Sequence, residues 1–254
     1  MTGARFRTIA DDVRERIALG DLGESGALES EAVLGRRYAA SRVTVRRALE
    51  LLREQGLVES RQGSGWFATG GSFSQTLALG TFRHATSAVA EAGRQLSRRV
   101  VSFGYEQPPA AVRTSLRLAD GEEALRSRSV RAVDAAPLDL VQEWVPAALA
   151  GRLSRADAAE PGIWQTLQRQ GHRVASVRQR ITAGVAADED AALLEVGAGT
   201  PLLLVRRLAL AGDGSTIALS DHRYLAHRFS LEVEFNGWPS GDEPPGLRTV
   251  AGPD

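Results

Sequence analysis

Arg42, Thr44, Arg46 and Arg47 crowd into one short stretch, Ser41-Arg42-Val43-Thr44-Val45-Arg46-Arg47-Ala48-Leu49. Val45, Ala48, Leu49 and Leu52 recur at i, i+3, i+4 and i+7, which is the apolar stripe of an amphipathic helix. The arginines and Thr44 lie off that stripe. Arg42 and Arg46 are four apart, so their charges stack at a cost of roughly 0.2–0.5 kcal/mol in water. A polyanion laid along the same face turns that cost into a gain. Arg36, Arg37 and Arg61 extend the cluster. The chain has 31 basic and 31 acidic residues, and with no lysine every basic residue is arginine. Attraction for a polyanion must therefore rest on local clustering and not on net charge.

Other chemistry finds little support. There is no cysteine, which excludes disulfides and cysteine-based zinc or redox sites. His84, His172, His222 and His227 lack zinc-like spacing. No Gly-x-Ser-x-Gly elbow occurs, and a phosphate loop ending in Gly-Lys-Ser/Thr cannot exist without lysine. Asp139 and Glu143, and the run Asp188-Glu189-Asp190, read as surface or capping carboxylates. The expectation is a non-enzyme with no catalytic residues, no metal and no cofactor. No run of about 20 apolar residues suggests a membrane span. Met1 to Phe6 lack an apolar signal core, so a cytoplasmic protein is expected.

The elements that must present the arginines are legible. Ser30 caps a helix through Tyr38, with Glu31 at its positive end. Ala39-Ala40 is a short link, and Ser41 caps the arginine-bearing helix. Two helices joined this tightly form a helix-turn-helix, whose second helix enters the major groove N-terminus first. Gly56 supplies a left-handed C-cap. Leu57 to Arg61 and Trp66 to Ala68 read as strands around the turn Gln62-Gly63-Ser64-Gly65, which makes a wing.

Residues 6 to 68 resemble the winged-helix domain of the GntR family of bacterial transcription regulators. The resemblance rests on Ile9 to Ile17, Ser30-Glu31, Ser41 to Leu49 and Gly56 to Gly65. It implies that the recognition-helix arginines and threonine contact bases and phosphates, and that the wing tip enters the minor groove. Those roles fall on Arg42, Thr44, Arg46, Gln62 and Gly63, with Ser41 binding phosphate while it caps. Arg36 and Arg47 complete the DNA-binding set. Where the family has Leu-Pro-Ser-Glu-Arg, this chain has Leu28-Glu29-Ser30-Glu31-Ala32. Ala32 removes a positive contact, and Glu29 is placed to oppose phosphate. Trp66 replaces a more usual threonine and reads as packing under the wing.

Gly70-Gly71-Ser72 marks a break. The expected organisation is a DNA-binding domain over 1–68, a linker over 69–76, a second domain over 77–235 and a flexible tail over 236–254. The second domain mixes strands (98–105, 123–133, 138–145, 174–186, 202–211, 217–225, 229–235) with helices (86–92, 108–118, 163–170, 188–196), and its last three strands read as a meander. This order is similar to the UTRA ligand-sensing domain of the HutC branch. The signature residues are Gly93 with Ser97 to Val100, Arg131 with Asp134 and Pro137, Leu193 to Val196, Thr200 to Leu203, and Ser220 with Tyr224 and Arg228-Phe229. The resemblance implies an α+β fold, an antiparallel sheet with flanking helices like chorismate lyase, and a homodimer. It also implies a small, often anionic effector. The anion loop falls on Arg83, His84, Thr86 and Ser87, at a helix N-terminus. A strand arginine falls on Arg131, a pocket tyrosine on Tyr224, and a serine-tyrosine pair near Ile163-Trp164. Ser129 and Ala218 replace a second arginine and a glutamate, which argues against amino-sugar phosphates.

The expectation is a dimeric regulator, a repressor, on a pseudo-palindromic double-stranded operator, released by a small-molecule effector. The alternative is a DNA-binding co-regulator whose second domain only dimerises.

Overall fold

A computed structural model describes residues 2–22, 25–69, 73–77 and 93–233. The N-terminal unit contains α1 (Thr2–Leu19), α2 (Glu31–Arg37), α3 (Arg42–Glu54) and the hairpin β1 (Val58–Arg61) and β2 (Gly65–Ala68). The apolar stripe of α3 packs inward: Val45, Ala48, Leu49 and Leu52 are fully buried beside Ile9, Ala10 and Val13 of α1 and Leu34 of α2. Ser30 Oγ accepts from Val33 N and Ser41 Oγ accepts from Thr44 N, so both caps form as read. Gly56 has φ 72°, the left-handed conformation that ends α3. Trp66 is buried under the wing, and a bridge from Ala27 to Phe67 ties the wing to the segment before α2. The five elements of this unit thus fix the direction in which the first turn of α3 points.

The second unit is built on six antiparallel strands in the order β4-β5-β6-β9-β8-β7. These are β4 (Leu96–Glu106), β5 (Ala124–Val133), β6 (Ala136–Pro146), β7 (Ser176–Val185), β8 (Pro201–Leu210) and β9 (Thr216–Leu225). Five helices accompany them: α4 (Ala110–Leu116), α5 (Ala147–Ala150), α6 (Arg155–Ala159), α7 (Ile163–Arg169) and α8 (Asp188–Leu194). Strand pairing puts Leu125, Val145, Ala209 and Ala218 on one face, where Ala158 of α6 and Ile163, Trp164 and Leu167 of α7 cover them. Trp144 and Leu219 lie on the opposite face under α4, and Leu140, Leu202 and Leu225 lie there under α8. An antiparallel sheet covered on both faces buries apolar residues at nearly every position, so its strands lose clean alternation.

Three readings change. Phe73–Leu77, assigned above to the linker, is strand β3, and it pairs in parallel with β10 (Phe229–Val233). The expected final meander is therefore the β8–β9 hairpin alone, with β10 leaving the sheet to pair with β3. Helices α5 and α6 are too short, at four and five residues, for a helical period to show. The capping box of Ser154 and Asp157 is what starts α6. The expected helix at 86–92 and the tail from 236 lie outside the described residues.

Candidate nucleic-acid interface and buried polar cluster

The polar face of α3 stands clear of the core. Ser41, Arg42, Arg46 and Arg47 are exposed, with Thr44 half-buried beside them. Ser41 Oγ lies 2.9 Å from Thr44 Oγ1, so the cap also orients the threonine hydroxyl. Arg47 lies over the ring of Phe6 of α1, 4.3 Å from its centroid, which aims an otherwise free side chain. Arg46 is bound by Glu31 of α2 through Nε and Nη2, each at 2.9 Å. Hydrogen bonding from Arg46 holds the Glu31 carboxyl below its usual range, and Trp66 Nε1 donates to the same carboxylate at 3.3 Å. Arg36 is exposed on α2, while Gln62 and Gly63 form the exposed wing tip, with Gly63 at φ 76°. The eight expected DNA-binding residues thus fall on α2, α3 and the wing turn of one unit.

Glu29 does not stand free to oppose phosphate. It accepts from Arg16 and from Arg37, both at 3.0 Å. A residue missed in the sequence is Val43, which is 79% exposed in the first turn of α3. Its separation from the stripe of Val45 and Leu49 was the available signal.

In the second unit, pairing aligns chemistry from four strands on one sheet face. Arg131 sits opposite Asp139, which sits opposite Tyr224; Ser127 faces Glu143, which faces Ser220, which faces Arg207. Arg131, read above as an open effector ligand, is 2% exposed and donates to Asp139 through Nε at 2.7 Å and Nη2 at 2.6 Å. Its Nη2 also donates to Tyr224 Oη at 3.0 Å. The guanidinium is committed to these partners because an uncompensated charge at this depth costs several kcal/mol. Tyr224 is buried between His222 and Phe229, with ring centroids 5.4 and 3.8 Å away. It packs and anchors Arg131.

Asp139 and Glu143 are not surface carboxylates: both are buried in the centre of the sheet. Burial works to raise Asp139, but the charge of Arg131 and hydrogen bonds from His222 and Arg131 hold it well below the carboxylate range. Burial raises Glu143 despite the nearby charges of Arg98 and Arg131. His222 lies 3.0 Å from Asp139 through Nδ1 and 3.1 Å from Ser220 Oγ through Nε2. Burial, then the charge of Arg207, keeps its ring well below the usual histidine value. These partners assign the neutral tautomer with Nδ1–H donating to Asp139 and Nε2 accepting from Ser220. The line Asp139-His222-Ser220 matches the order of an acyl-transfer triad, but both Asp139 oxygens are taken by Arg131 and Ser220 is 1% exposed. Ser220 and His222 instead form part of the wall of a pocket.

That pocket is lined by Arg98, Arg131, Glu143, Arg207, Ser220 and His222 from the sheet and by Pro161 to Gln165 at the start of α7. Trp164, expected near the site, is part of its wall. Arg98 donates through Nη1 to Glu143 at 3.0 Å and to the Ala158 carbonyl at 3.3 Å. The pocket is narrow, with a volume of about 30 Å³, and is partly open to solvent. Three guanidiniums thus meet two carboxylates and a neutral imidazole. Arg83, His84, Thr86 and Ser87 lie outside the described residues, so their place relative to this pocket is not described.

Residues 6–68 match the model for the gntR family of bacterial regulatory proteins, and residues 91–230 match the UTRA domain. The chain belongs to the GntR family. It is 30% identical over 231 residues to the HTH-type transcriptional regulator Rv0792c of Mycobacterium tuberculosis, spanning 89% of this chain and 84% of that one. It is 23% identical to the HTH-type transcriptional repressor NagR of Bacillus subtilis, spanning 89% and 92% of the two chains. The crystal structure of PhnF from Mycobacterium smegmatis superposes with a TM-score of 0.59 at 20% identity, covering 91% of this chain and all of that one. This GntR-family protein is therefore a transcriptional regulator whose winged helix carries the DNA-binding surface and whose second unit is a UTRA domain. Among the described residues, no helix is long and apolar enough to cross a membrane.

Proposed function

We propose that this regulator is a repressor of the HutC type that binds its operator as a homodimer and is released by a small, singly charged anion bound in the sheet pocket. The observation that carries the reading is the pocket itself: Arg98, Arg131 and Arg207 converge on it, with Arg98 held by Glu143 and Arg131 by Asp139. Arg131 is the anchor of the pocket, and Arg98 and Arg207 are the groups that meet the ligand. Ser220 and His222 supply a neutral hydrogen-bonding edge, and Trp164 supplies an apolar one. The pocket is narrow and partly open to solvent, and a ligand entering it would press on the start of α7. Displacing it shifts the DNA heads only to the extent that the ligand favours the displaced arrangement.

Two winged helices related by dimer symmetry would place α3 in successive major grooves of a pseudo-palindromic site, with the wing tips at flanking minor grooves. The cytoplasm is the matching compartment for such a regulator. A thermal-shift screen of small monocarboxylates and phosphate esters tests the sensor, since a ligand that binds only the folded state raises its melting temperature. The expected hit also weakens operator binding in fluorescence anisotropy. A screen in which no anion stabilises the protein, with operator binding intact, favours the co-regulator whose second domain only dimerises.

A further inference from the structure

The winged helix and the UTRA domain meet along a seam. A methyl group placed on Gly56 would lie 3.2 Å from Val196 Cγ1, and one on Gly197 would lie 3.5 Å from the Glu54 carbonyl oxygen. The C-terminal end of α3 therefore rests against the segment that follows α8. A cavity of about 410 Å³ opens along this seam, lined from the head by Gly56 and Thr69 and from the UTRA domain by the 134–137 turn, His227 and Arg228, among others. His227 also walls a second, mostly apolar cleft of about 200 Å³, formed with Ala18, Leu57, Pro201 and Ala226.

Two side chains of this seam are left incompletely satisfied among the described residues. His227 is 6% exposed, and among the described residues neither ring nitrogen has a hydrogen-bond partner. Arg228 donates through Nη1 to the Pro137 carbonyl at 2.6 Å, but its buried Nε has no partner among the described residues. Buried donors of this kind cost about 1–3 kcal/mol each when left unpaired. Burial, followed by the charge of Arg228, pushes His227 down to about 3, so the ring is neutral and offers one donor and one acceptor. Burial also lowers Arg228, with the charge of Arg94 acting in the same direction. Glu59 and Glu195 act on Arg228 through charge, but among the described residues no carboxylate hydrogen-bonds its Nε. Asp134 is held by Arg94 at 2.6 Å, and Glu195 is exposed at the rim of the cavity. On the α1 side, Asp11 is paired with Arg14, and Glu15 lies exposed beside them.

We propose that the seam is a second ligand site, for a small oxyanion bound by the Arg228 guanidinium and the His227 ring between the DNA-binding head and the UTRA domain. A partly protonated oxyanion such as hydrogen phosphate matches both halves of the neutral imidazole, giving it an acceptor oxygen and an O–H. The site is separate from the sheet pocket, whose histidine is His222. Because its walls come from both units, an ion held there links them, and its occupancy sets how freely the head moves.

The chain has four histidines, which makes ring-labelled histidine NMR of the full-length protein a local test. Inorganic phosphate is titrated at fixed ionic strength, with acetate as a parallel arm; His227 is assigned from His227→Leu. The expected result is a saturable shift of the His227 signals with one or both anions. In Arg228→Gln the midpoint should rise at least 10-fold, while any response of His222 is unchanged. If Arg228→Gln fails to fold without the Pro137 contact, Arg228→Lys takes its place, keeping the charge but losing the planar fork, with the same direction of effect. The proposal is overturned if both anions leave His227 unmoved, if only His222 responds, or if the arginine variants titrate like the parent.

Discussion

Glu31 of α2 holds Arg46 of α3 by two hydrogen bonds of 2.9 Å, while Trp66 of the wing donates to the same carboxylate. One acidic side chain thus joins all three elements that carry the expected DNA-binding residues. In the free protein, the pair aims the guanidinium and keeps it from scattering over rotamers. On DNA, the phosphates and bases compete with Glu31 for it. Arg46→Ala is expected to weaken specific operator binding roughly 5- to 150-fold if the side chain reads a base. Glu31→Gln should keep general affinity for DNA and lower the ratio of operator to random-sequence binding. Anisotropy titrations on both DNAs measure this; an unchanged ratio in Glu31→Gln argues against a positioning role.

Operator binding should fall steeply with salt as phosphate contacts release counterions, and each lost contact should flatten the slope by about one. Arg36→Ala is the variant expected to change the slope without altering sequence preference. A slope equal to that of the parent removes Arg36 from the phosphate contacts.

Val43 presents an apolar, β-branched surface among charged neighbours in the first turn of α3. Such a surface suits the methyl group of thymine in the major groove. Val43→Ser should relax preference at one operator position and leave the salt slope alone, as read by selection from a randomised site.

Arg131 and Arg207 should behave differently although they line the same pocket. Arg131→Ala leaves Asp139 buried without its partner and should cost about 3–5 kcal/mol of stability in chemical denaturation. Arg207→Gln, at a side chain just as buried but held by Gln179, should cost less stability than Arg131→Ala and abolish the response to the pocket's anion. Similar losses of stability in both variants would remove the distinction between anchor and ligand-binding arginine.

The two buried histidines predict acid sensitivity. His222 and His227 are held neutral in the fold, below their unfolded value near 6.5. The unfolded chain therefore binds more protons as pH falls below that value, and stability drops by about 1.4 kcal/mol per pH unit for each histidine. The loss from His227 continues toward its folded value of about 3. Asp139, held low, adds a further loss only below about pH 4. Glu143, held high, contributes the opposite slope above its usual value. Urea midpoints at pH 7.5, 6 and 5 should decline, and His227→Leu should decline less steeply. Equal slopes in the two proteins would place His227 in contact with solvent.

The amino-acid sequence alone determined the head. Its signals are local: Ser41 caps the helix that carries the arginines, the stripe from Val45 to Leu52 spans two turns, and Gly56 stops it. Such contacts lie within a few residues, so spacing carries them directly. The order of β4 to β9 was legible for the same reason, while β3 and its parallel pairing with β10 were not, since that pairing joins residues over 150 positions apart. The tertiary structure decided the charges. Arg131 meets Asp139 and Tyr224 only because three strands align in register, and a guanidinium this deep must take such partners. His222, Glu143 and the seam at His227 became visible for the same physical reason: burial and pairing depend on residues far apart in the chain, and spacing does not encode them.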